Sequence, residues 1–376
     1  MTIVIAAGGT GGHLYPAIAL AHEFLRRDPA SRILFVGTSR GLESKVLAHE
    51  GFELALIDAK PVMGLGPWGM LKGLCAVPIS LWQSLRILRS RHARLVIGVG
   101  GYTSPAMVFA AAMLGVACVI LEPNADAGMA NKAVASVAQR VFLAFESAAA
   151  SFNPQKVRIV GTPIRRAFID RAGPVAVPGR QPGARRLLVF GGSQGAKAIN
   201  SAMIEGLPEM IRRCPEMSVI HQTGEADHTR VAEAYRRAGL GAQVVPFIYD
   251  MPSALHEADL VVARAGAITI AELTTSGKPA VLIPLPTAIY DHQMKNATAM
   301  QAAGAAVVLR QSELTGARLA HTVIGIIEDP ARLQAMAAAT WRLRRTDAAE
   351  AIVRECYGLM GEQYDNDHRL GEAGHQ

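Results

Sequence analysis

Two stretches of this chain, almost two hundred residues apart, open in the same way. Each begins with a short apolar run, passes through a turn of the form Gly-Gly-(Thr/Ser)-X-Gly, and continues with apolar residues at helical spacing. The first runs through residues 3–7, Gly8-Gly9-Thr10-Gly11-Gly12-His13 and residues 14–25. The second runs through residues 185–190 and Gly191-Gly192-Ser193-Gln194-Gly195-Ala196. Glycines between a strand and a helix allow a sharp turn and let a ligand approach the bare peptide. The helix that follows offers unsatisfied N–H groups and the positive end of its dipole. Repeated in one chain, this pattern predicts two Rossmann-like doubly wound α/β domains facing each other. Ligands in such sheets sit beyond the carboxyl ends of the strands, so both turns are expected to line one cleft.

The rest of the chain fits that frame. Continuous apolar runs predict strands at 3–7, 32–36, 53–57, 95–98, 117–121 and 141–143. Helical periods fall between them at 14–27, 42–49, 70–91, 105–114 and 129–137. The second half restarts with strands expected at 185–190, 217–222, 243–246, 260–263, 280–283 and 306–309. Alternation of this kind means parallel βαβ units. Residues 171–183, RAGPVAVPGRQPG, break every periodicity and read as a linker. It separates an N-terminal domain at 1–170 from a C-terminal domain at 184–345. A last helix at 346–360 is expected to return to the first domain, and the polar 361–376 to be a disordered tail.

The net charge of +7 lies almost wholly in the first 160 residues. Nucleic acid, an anionic membrane surface or an acidic substrate would each suit such an excess. No lysine tract, zinc finger or RNA-binding aromatic signature supports nucleic acid. The cysteines Cys75, Cys118, Cys214 and Cys356 stand singly, with no metal-ligand spacing, as thiols in a reducing cytoplasm do. Residues 98–121 hold no charge and approach the length of a membrane span. They open with the turn residues Gly98-Val99-Gly100-Gly101-Tyr102-Thr103-Ser104-Pro105, however, and Gly115 interrupts them. A buried helix and strand explain the stretch better. No basic leader precedes the first strand, so no signal peptide is expected.

Neither glycine turn is a dinucleotide fingerprint. The G-x-G-x-x-G spacing fails in both, and no acidic residue closes the second strand at Val36-Gly37-Thr38-Ser39 to hold a ribose. Hydride transfer is therefore disfavoured. His13 is the side chain of the first turn best suited to proton transfer near neutral pH, unless it is incidental to a tight turn. In the second half a strand ends at Ala263 and Arg264-Ala265-Gly266 turns into a helix beginning near Ala267. Its first amides can hold a diphosphate without a metal. Glu272 is placed to accept from two ribose hydroxyls, or simply to favour the helix dipole. Asp291-His292-Gln293 opens another helix, where the Gln293 amide can read sugar hydroxyls; the plainer reading has Asp291 capping that helix.

The segments GGTGGHLYPA, GVGGYTSPA, GTPIR, GGSQGAKAIN, ARAGAITIAEL and DHQMKNA, in this order and at these separations, resemble the bacterial MurG glycosyltransferases. The resemblance runs from about Thr2 to Met360. It implies the GT-B fold and transfer of N-acetylglucosamine (GlcNAc) from UDP-GlcNAc to undecaprenyl-pyrophosphoryl-MurNAc-pentapeptide, which converts lipid I to lipid II in peptidoglycan synthesis. It also implies that Thr10, Gly11 and Gly12 contact the donor sugar, with His13 as general base and Glu122 in reserve. Asn124 would hydrogen-bond the GlcNAc, Arg165 would act on the donor, and Ser193 would bind phosphate. Ile248 would hold the uracil through its backbone. Ala267, Ile268, Thr269, Ile270, Ala271 and Glu272 would hold phosphates and ribose, and Gln293 the sugar. The sequence departs from the family pattern at Leu121, Pro123 and Tyr290, and keeps Asn124 and Asp291-His292-Gln293.

The implied chemistry is an in-line attack by the C4 hydroxyl of MurNAc on C1 of GlcNAc, with inversion. Helix N-termini and Ser193 would stabilise the departing UDP, with no metal or other cofactor. A lipid acceptor requires contact with the anionic inner leaflet, so the protein is expected to be peripheral on the cytoplasmic side of the inner membrane. Other cell-wall synthesis proteins would be its partners. Leu74, Ile79, Trp82 and Leu85 beside Arg86 and Arg89 are the expected membrane contact. Part of that helix must also pack on its sheet. Another UDP-sugar transferase of the same fold, a UDP-GlcNAc epimerase, or a non-catalytic nucleotide-sugar-binding protein are the competing readings.

Overall fold

The computed structural model describes residues 1–8, 11–38, 43–59, 66–171, 185–286 and 291–362; the side chains of 11, 43, 45 and 66–75 are outside that description. Thr10, Tyr290, nearly all of the expected linker and the expected tail beyond 362 therefore lie outside the described residues. The chain divides into two compact units, one of Met1–Arg165 with Asp347–Gln376 and one of Arg166–Thr346.

The first unit begins with β1 (Thr2–Ala7), α1 (Gly11–Arg27), β2 (Arg32–Gly37), α2 (Glu43–Glu50) and β3 (Glu53–Leu56). It continues with α3 (Gly66–Ser90), β4 (Ala93–Gly100), α4 (Ser104–Met113), β5 (Ala117–Glu122), α5 (Met129–Val134), β6 (Arg140–Leu143) and β7 (Val157–Ile159). Its seven strands are ordered β3-β2-β1-β4-β5-β6-β7, and every pair is parallel. Side chains of β1 alternate between two cores. Ile3, Ile5 and Ala7 join the layer that α1 covers, and Val4 and Ala6 the opposite one. Leu14, Ala17, Ile18, Ala21 and Phe24 form the buried stripe of α1, spaced as one face of a helix requires.

The second unit holds α6 (Arg166–Asp170), β8 (Arg186–Phe190), α7 (Lys197–Arg213), β9 (Ser218–Gln222), α8 (His228–Ala238), β10 (Ala242–Val245) and α9 (Met251–Glu257). β11 (Leu260–Ala263), α10 (Ala267–Ser276), β12 (Ala280–Leu282), α11 (His292–Ala302), β13 (Ala306–Val308), α12 (Gly316–Ile327) and α13 (Pro330–Arg342) complete it. Its strand order, β10-β9-β8-β11-β12-β13, repeats the order of the first six strands of the other sheet. Both sheets are thus doubly wound and parallel, as expected, and each reverses direction beside its first strand. The reversal falls between β1 and β4 in one unit and between β8 and β11 in the other, which is where such sheets open a ligand crevice.

The last helix, α14 (Ala348–Leu359), belongs to the first unit. Ile352, Val353, Cys356 and Tyr357 enter the core under α1, and the Tyr357 ring lies 6.1 Å from that of Phe24. Arg140 and Arg158 reach its Glu355 at 3.2 and 3.7 Å.

Three differences from the sequence reading stand out. The first helix starts at Gly11, so Gly11, Gly12 and His13 form its first turn instead of preceding it. The edge strand β7 had no apolar run to announce it, because Val157, Arg158 and Ile159 are all partly exposed. α3 begins four residues before the expected 70.

Candidate active site

In the first unit the site is assembled from the carboxyl ends of β1, β4 and β5, three adjacent strands. The ring of His13 lies on the backbone of Gly100, the last residue of β4. A Cβ added there would stand 2.8 Å from Nε2 and 2.9 Å from Cδ2. Gly100 has a φ of 117° and Gly101 a φ of 76°. A Cβ on Gly101 would sit 2.0 Å from the Gly8 carbonyl oxygen, so the β1 and β4 turns are in backbone contact. His13 is half-buried and stands over the crevice between those two strands.

One strand further on, Glu122 closes β5 with 1% of its surface exposed. Its Oε1 accepts from the Asn124 backbone N–H at 3.0 Å and from Asn124 Nδ2 at 2.9 Å. Its Oε2 accepts from the Gly128 N–H at 2.8 Å and from Asn131 Nδ2 at 2.9 Å. Four donors occupy the lone pairs of both oxygens. That is the environment of a carboxylate that shapes a loop, and it works against the reserve role as a base. Asn124 is half-buried and turns its NH2 toward Glu122, so its carbonyl oxygen is the end turned away from that carboxylate. Arg165 places its guanidinium 5.0 Å from the centre of the Tyr15 ring on α1.

The second unit repeats the arrangement. The loop after β8 carries an exposed Ser193 between Gly192 (φ 98°) and Gly195 (φ 74°), and α7 follows with no side-chain cap on its first amides. After β11, Gly266 occupies the N-cap of α10 in extended conformation, again without a side-chain bond to the first turn. Ala267 and Ile270 are buried, and Ile268, Thr269 and Ala271 half-buried. Glu272 is 8% exposed and lies beyond the first turn of α10, where a helix dipole has largely faded. That weakens its reading as a dipole partner. Arg264 is spent on structure: it donates to the Ile283 and Pro284 carbonyls at 3.0 and 3.2 Å and to Gln311 Oε1 at 2.6 Å. Burial lowers its pKa.

Gln293 Oε1 accepts from the Leu285 N–H at 3.0 Å, which orients the amide with its acceptor end toward the segment after β12. Asp291 does not cap α11. Its φ of 55° is left-handed, and from there its carboxylate makes no bond to the first turn. Ile248 is half-buried in the segment between β10 and α9. Among the described residues no group of three His, Cys, Asp or Glu is placed to hold a metal ion.

The α3 helix divides its residues by face. Ala76, Ser80, Ser84 and Leu88, spaced by four, are buried against the unit. Ile79 (52%) and Trp82 (59%) are exposed with Arg86 and Arg89, and the Arg86 guanidinium lies 5.8 Å from the Trp82 ring centre. Leu85 is only half-exposed because part of it packs on the core, and the Leu74 side chain lies outside the described residues. Among the described residues no helix is long and apolar enough to cross a membrane.

Sequence reasoning missed the donors around Glu122 and a buried chain of Asn200, His221 and Tyr235 in the second unit. Asn124, Gly128 and Asn131 are close to Glu122 in sequence, but only the turn after β5 shows that they converge on it.

Residues 3–143 match the glycosyltransferase family 28 N-terminal domain, and residues 186–352 the glycosyltransferase family 28 C-terminal domain. A UDP-N-acetylglucosamine–N-acetylmuramyl-(pentapeptide) pyrophosphoryl-undecaprenol N-acetylglucosamine transferase of Syntrophus aciditrophicus is 44% identical over 360 residues, covering 95% of this chain and 98% of its own. The crystal structure of Acinetobacter baumannii MurG superposes with a TM-score of 0.72 at 29% identity, over 95% of this chain and 99% of that one. A UDP-GlcNAc 2-epimerase from Neisseria meningitidis, with a TM-score of 0.66 at 13% identity over 95% and 100% of the two chains, shares the fold alone. The chain belongs to glycosyltransferase family 28, with the GT-B fold, and within it to the MurG glycosyltransferases.

Proposed function

We infer that this enzyme transfers GlcNAc from UDP-GlcNAc to the C4 hydroxyl of MurNAc in undecaprenyl-pyrophosphoryl-MurNAc-pentapeptide, making lipid II from lipid I. The observation that carries this reading is the match to a transferase of that name over nearly the whole of both chains. In the proposed mechanism His13 takes the proton of the attacking hydroxyl while C1 of GlcNAc inverts. Such a base contributes about 10²–10⁴ in rate. The contact of its ring with Gly100, at the strand reversal of the first sheet, supports this placement. Glu122 then serves as a positioning residue that turns the Asn124 carbonyl toward the sugar. Thr10, Gly11 and Gly12 contact the donor sugar, and Arg165 acts on the donor.

The second unit takes the nucleotide. Ser193 and the uncapped amides at the start of α10 receive the diphosphate, where fixed donors lower the cost of the charge that develops on the leaving group. Glu272 accepts from the ribose, Ile248 meets the uracil through its backbone, and the Gln293 amide donates to the sugar. UDP-GlcNAc is the donor substrate, and this scheme assigns no step to a cofactor.

Lipid I is held in a bilayer, and the exposed Ile79 and Trp82 beside Arg86 and Arg89 suit an anionic interface. The enzyme is accordingly placed as a peripheral protein on the cytoplasmic side of the inner membrane. Sedimentation with anionic vesicles at low salt tests this contact, comparing wild type with Trp82→Ala plus Arg86→Glu. Equal binding would remove α3 from the interface.

One assay tests the reaction: UDP release from UDP-GlcNAc with and without a lipid I analogue. Release that depends on the acceptor is the expected result. UDP release with formation of UDP-ManNAc and no acceptor requirement would instead make this an epimerase, and binding without turnover would make it a non-catalytic nucleotide-sugar-binding protein.

A further inference from the structure

A hydrogen-bonded chain in the second unit takes no part in the roles given above. His221 Nε2 lies 3.1 Å from Asn200 Oδ1, and His221 Nδ1 lies 3.1 Å from the Tyr235 hydroxyl. All three side chains are buried, and His221 has no exposed surface. The far end of the chain fixes its direction. Asn200 Nδ2 faces two acceptors, the Thr223 carbonyl at 3.0 Å and Asp227 Oδ2 at 2.8 Å. Its NH2 being committed there, only Oδ1 is left for the imidazole, which must donate from Nε2. Nδ1 therefore accepts the Tyr235 O–H. Burial also holds His221 neutral, with its pKa lowered to about 3, so one tautomer persists through the physiological range.

What the chain holds is the strand end that grips the Ser193 loop. The Thr223 carbonyl that accepts from Asn200 lies against Gly195, where a Cβ would meet it at 1.8 Å. Reciprocally, a Cβ on Gly224 would stand 2.0 Å from the Gln194 carbonyl oxygen. Gln222 Nε2 donates to the Gly192 carbonyl at 2.8 Å. Gly192 and Gly195, which flank Ser193, are thus both held by residues 222–224. Asn200, in the first turn of α7, ties those residues to the helix that receives the loop.

We propose that Asn200, His221 and Gln222 are positioning residues for the donor diphosphate, holding the Gly191–Ala196 loop and the start of α7 in the geometry that accepts it. This rests on the reading of the second unit as the UDP-GlcNAc unit.

The test compares the binding of UDP and uridine to the full-length chain by calorimetry, alongside kinetics with UDP-GlcNAc and a lipid I analogue. Asn200→Ala is expected to weaken UDP about tenfold, the effect of losing one well-placed polar contact, and to leave uridine within about twofold. KM for UDP-GlcNAc rises in parallel, and KM for the lipid I analogue is unchanged. His221→Phe keeps ring bulk but loses both bonds, and gives the same signature. His221→Gln, which can still donate to Asn200 and accept from Tyr235, recovers most of the UDP affinity. Where Asn200→Ala does not fold, Gln222→Ala examines the same grip at Gly192 and carries the same expectation. Equal losses for UDP and uridine, or UDP affinity unchanged in all variants, would overturn the proposal alone. Wild-type protein that binds neither UDP nor uridine would overturn the donor assignment of this unit, and the proposal with it.

Discussion

Replacing Gly100 by alanine separates two costs that the structure keeps distinct. The first is backbone strain, since a φ of 117° suits glycine, and an L side chain held in such a region costs about 1–3 kcal/mol. The second is local to His13. The new methyl would stand 2.8 Å from Nε2, whereas nonbonded carbon atoms settle at about 3.5–4.0 Å. It meets the far end of a side chain and not a backbone, so the imidazole yields and the sheet does not. Restoring contact moves the ring by roughly 0.7–1.2 Å, and a misplacement of that size costs on the order of 10²-fold in rate.

Gly51→Ala is the control. Its φ is 76°, and nothing lies within 4 Å of a Cβ there, so it carries backbone strain without a displaced ring. Both variants should melt a few degrees lower, at about 2–4 °C per kcal/mol for a unit of this size. Only Gly100→Ala should lose about 10²-fold in kcat, read as UDP release at saturating donor and lipid I analogue, with KM for UDP-GlcNAc little changed. A Gly100→Ala enzyme that turns over as fast as Gly51→Ala would refute the placement of His13 beside the reacting bond.

Glu122→Gln sets an amide nitrogen against two of four converging donors, and should cost about 2–4 kcal/mol in urea denaturation, with a higher KM for UDP-GlcNAc as Asn124 loses its anchor. Unchanged stability would mean that the four bonds do not form. Ile352→Ala, at a fully buried position of α14 in the core under α1, should destabilise the first unit by about 2–5 kcal/mol, followed by circular dichroism. A loss below about 1 kcal/mol would show that α14 is not docked there. His221 supplies a pH dependence. Its folded pKa, about 3, lies below the ordinary 6.5, so between those values only the unfolded chain binds the proton, and stability falls as pH drops. His221→Gln removes that slope, so the stability difference between wild type and variant should shrink by about 1.4 kcal/mol for each pH unit below 6.5. A difference that stays constant from pH 7 to pH 5 would show that His221 is not buried and neutral.

Much of the architecture could be read from the chain because parallel strands covered on both faces leave uninterrupted apolar runs. Val4, Ile5, Leu34, Phe35, Val96 and Ile97 are each buried, whichever face they serve. The rule fails at β7, where half-covered residues and Arg158 leave no run to recognise. The first helix reads as starting at Leu14 because Gly11 and Gly12 have poor helix propensity and the apolar stripe begins only there. Within the site, the placement of single residues in the segments that follow the strands was legible: His13, Asn124, Ser193 and Gln293 all lie on the carboxyl side of their sheets. Roles made by convergence were not. Glu122 reads as a reserve base until its four donors are counted. Asn200, His221 and Tyr235 sit on three different elements, with nothing in their spacing to join them.

The placement of α14 bears on how the chain is made. The first unit is discontinuous, and residues 166–346 must be synthesised before the helix that completes its core exists. Until then Phe24 and the buried stripe of α1 lack the cover of Ile352, Val353 and Tyr357. The second unit, continuous in sequence, meets no such delay and can close as soon as it leaves the ribosome. Translation thus inverts the order of the chain: the unit that begins first is finished last. During that interval the apolar flank of α1 stays uncovered by its own chain.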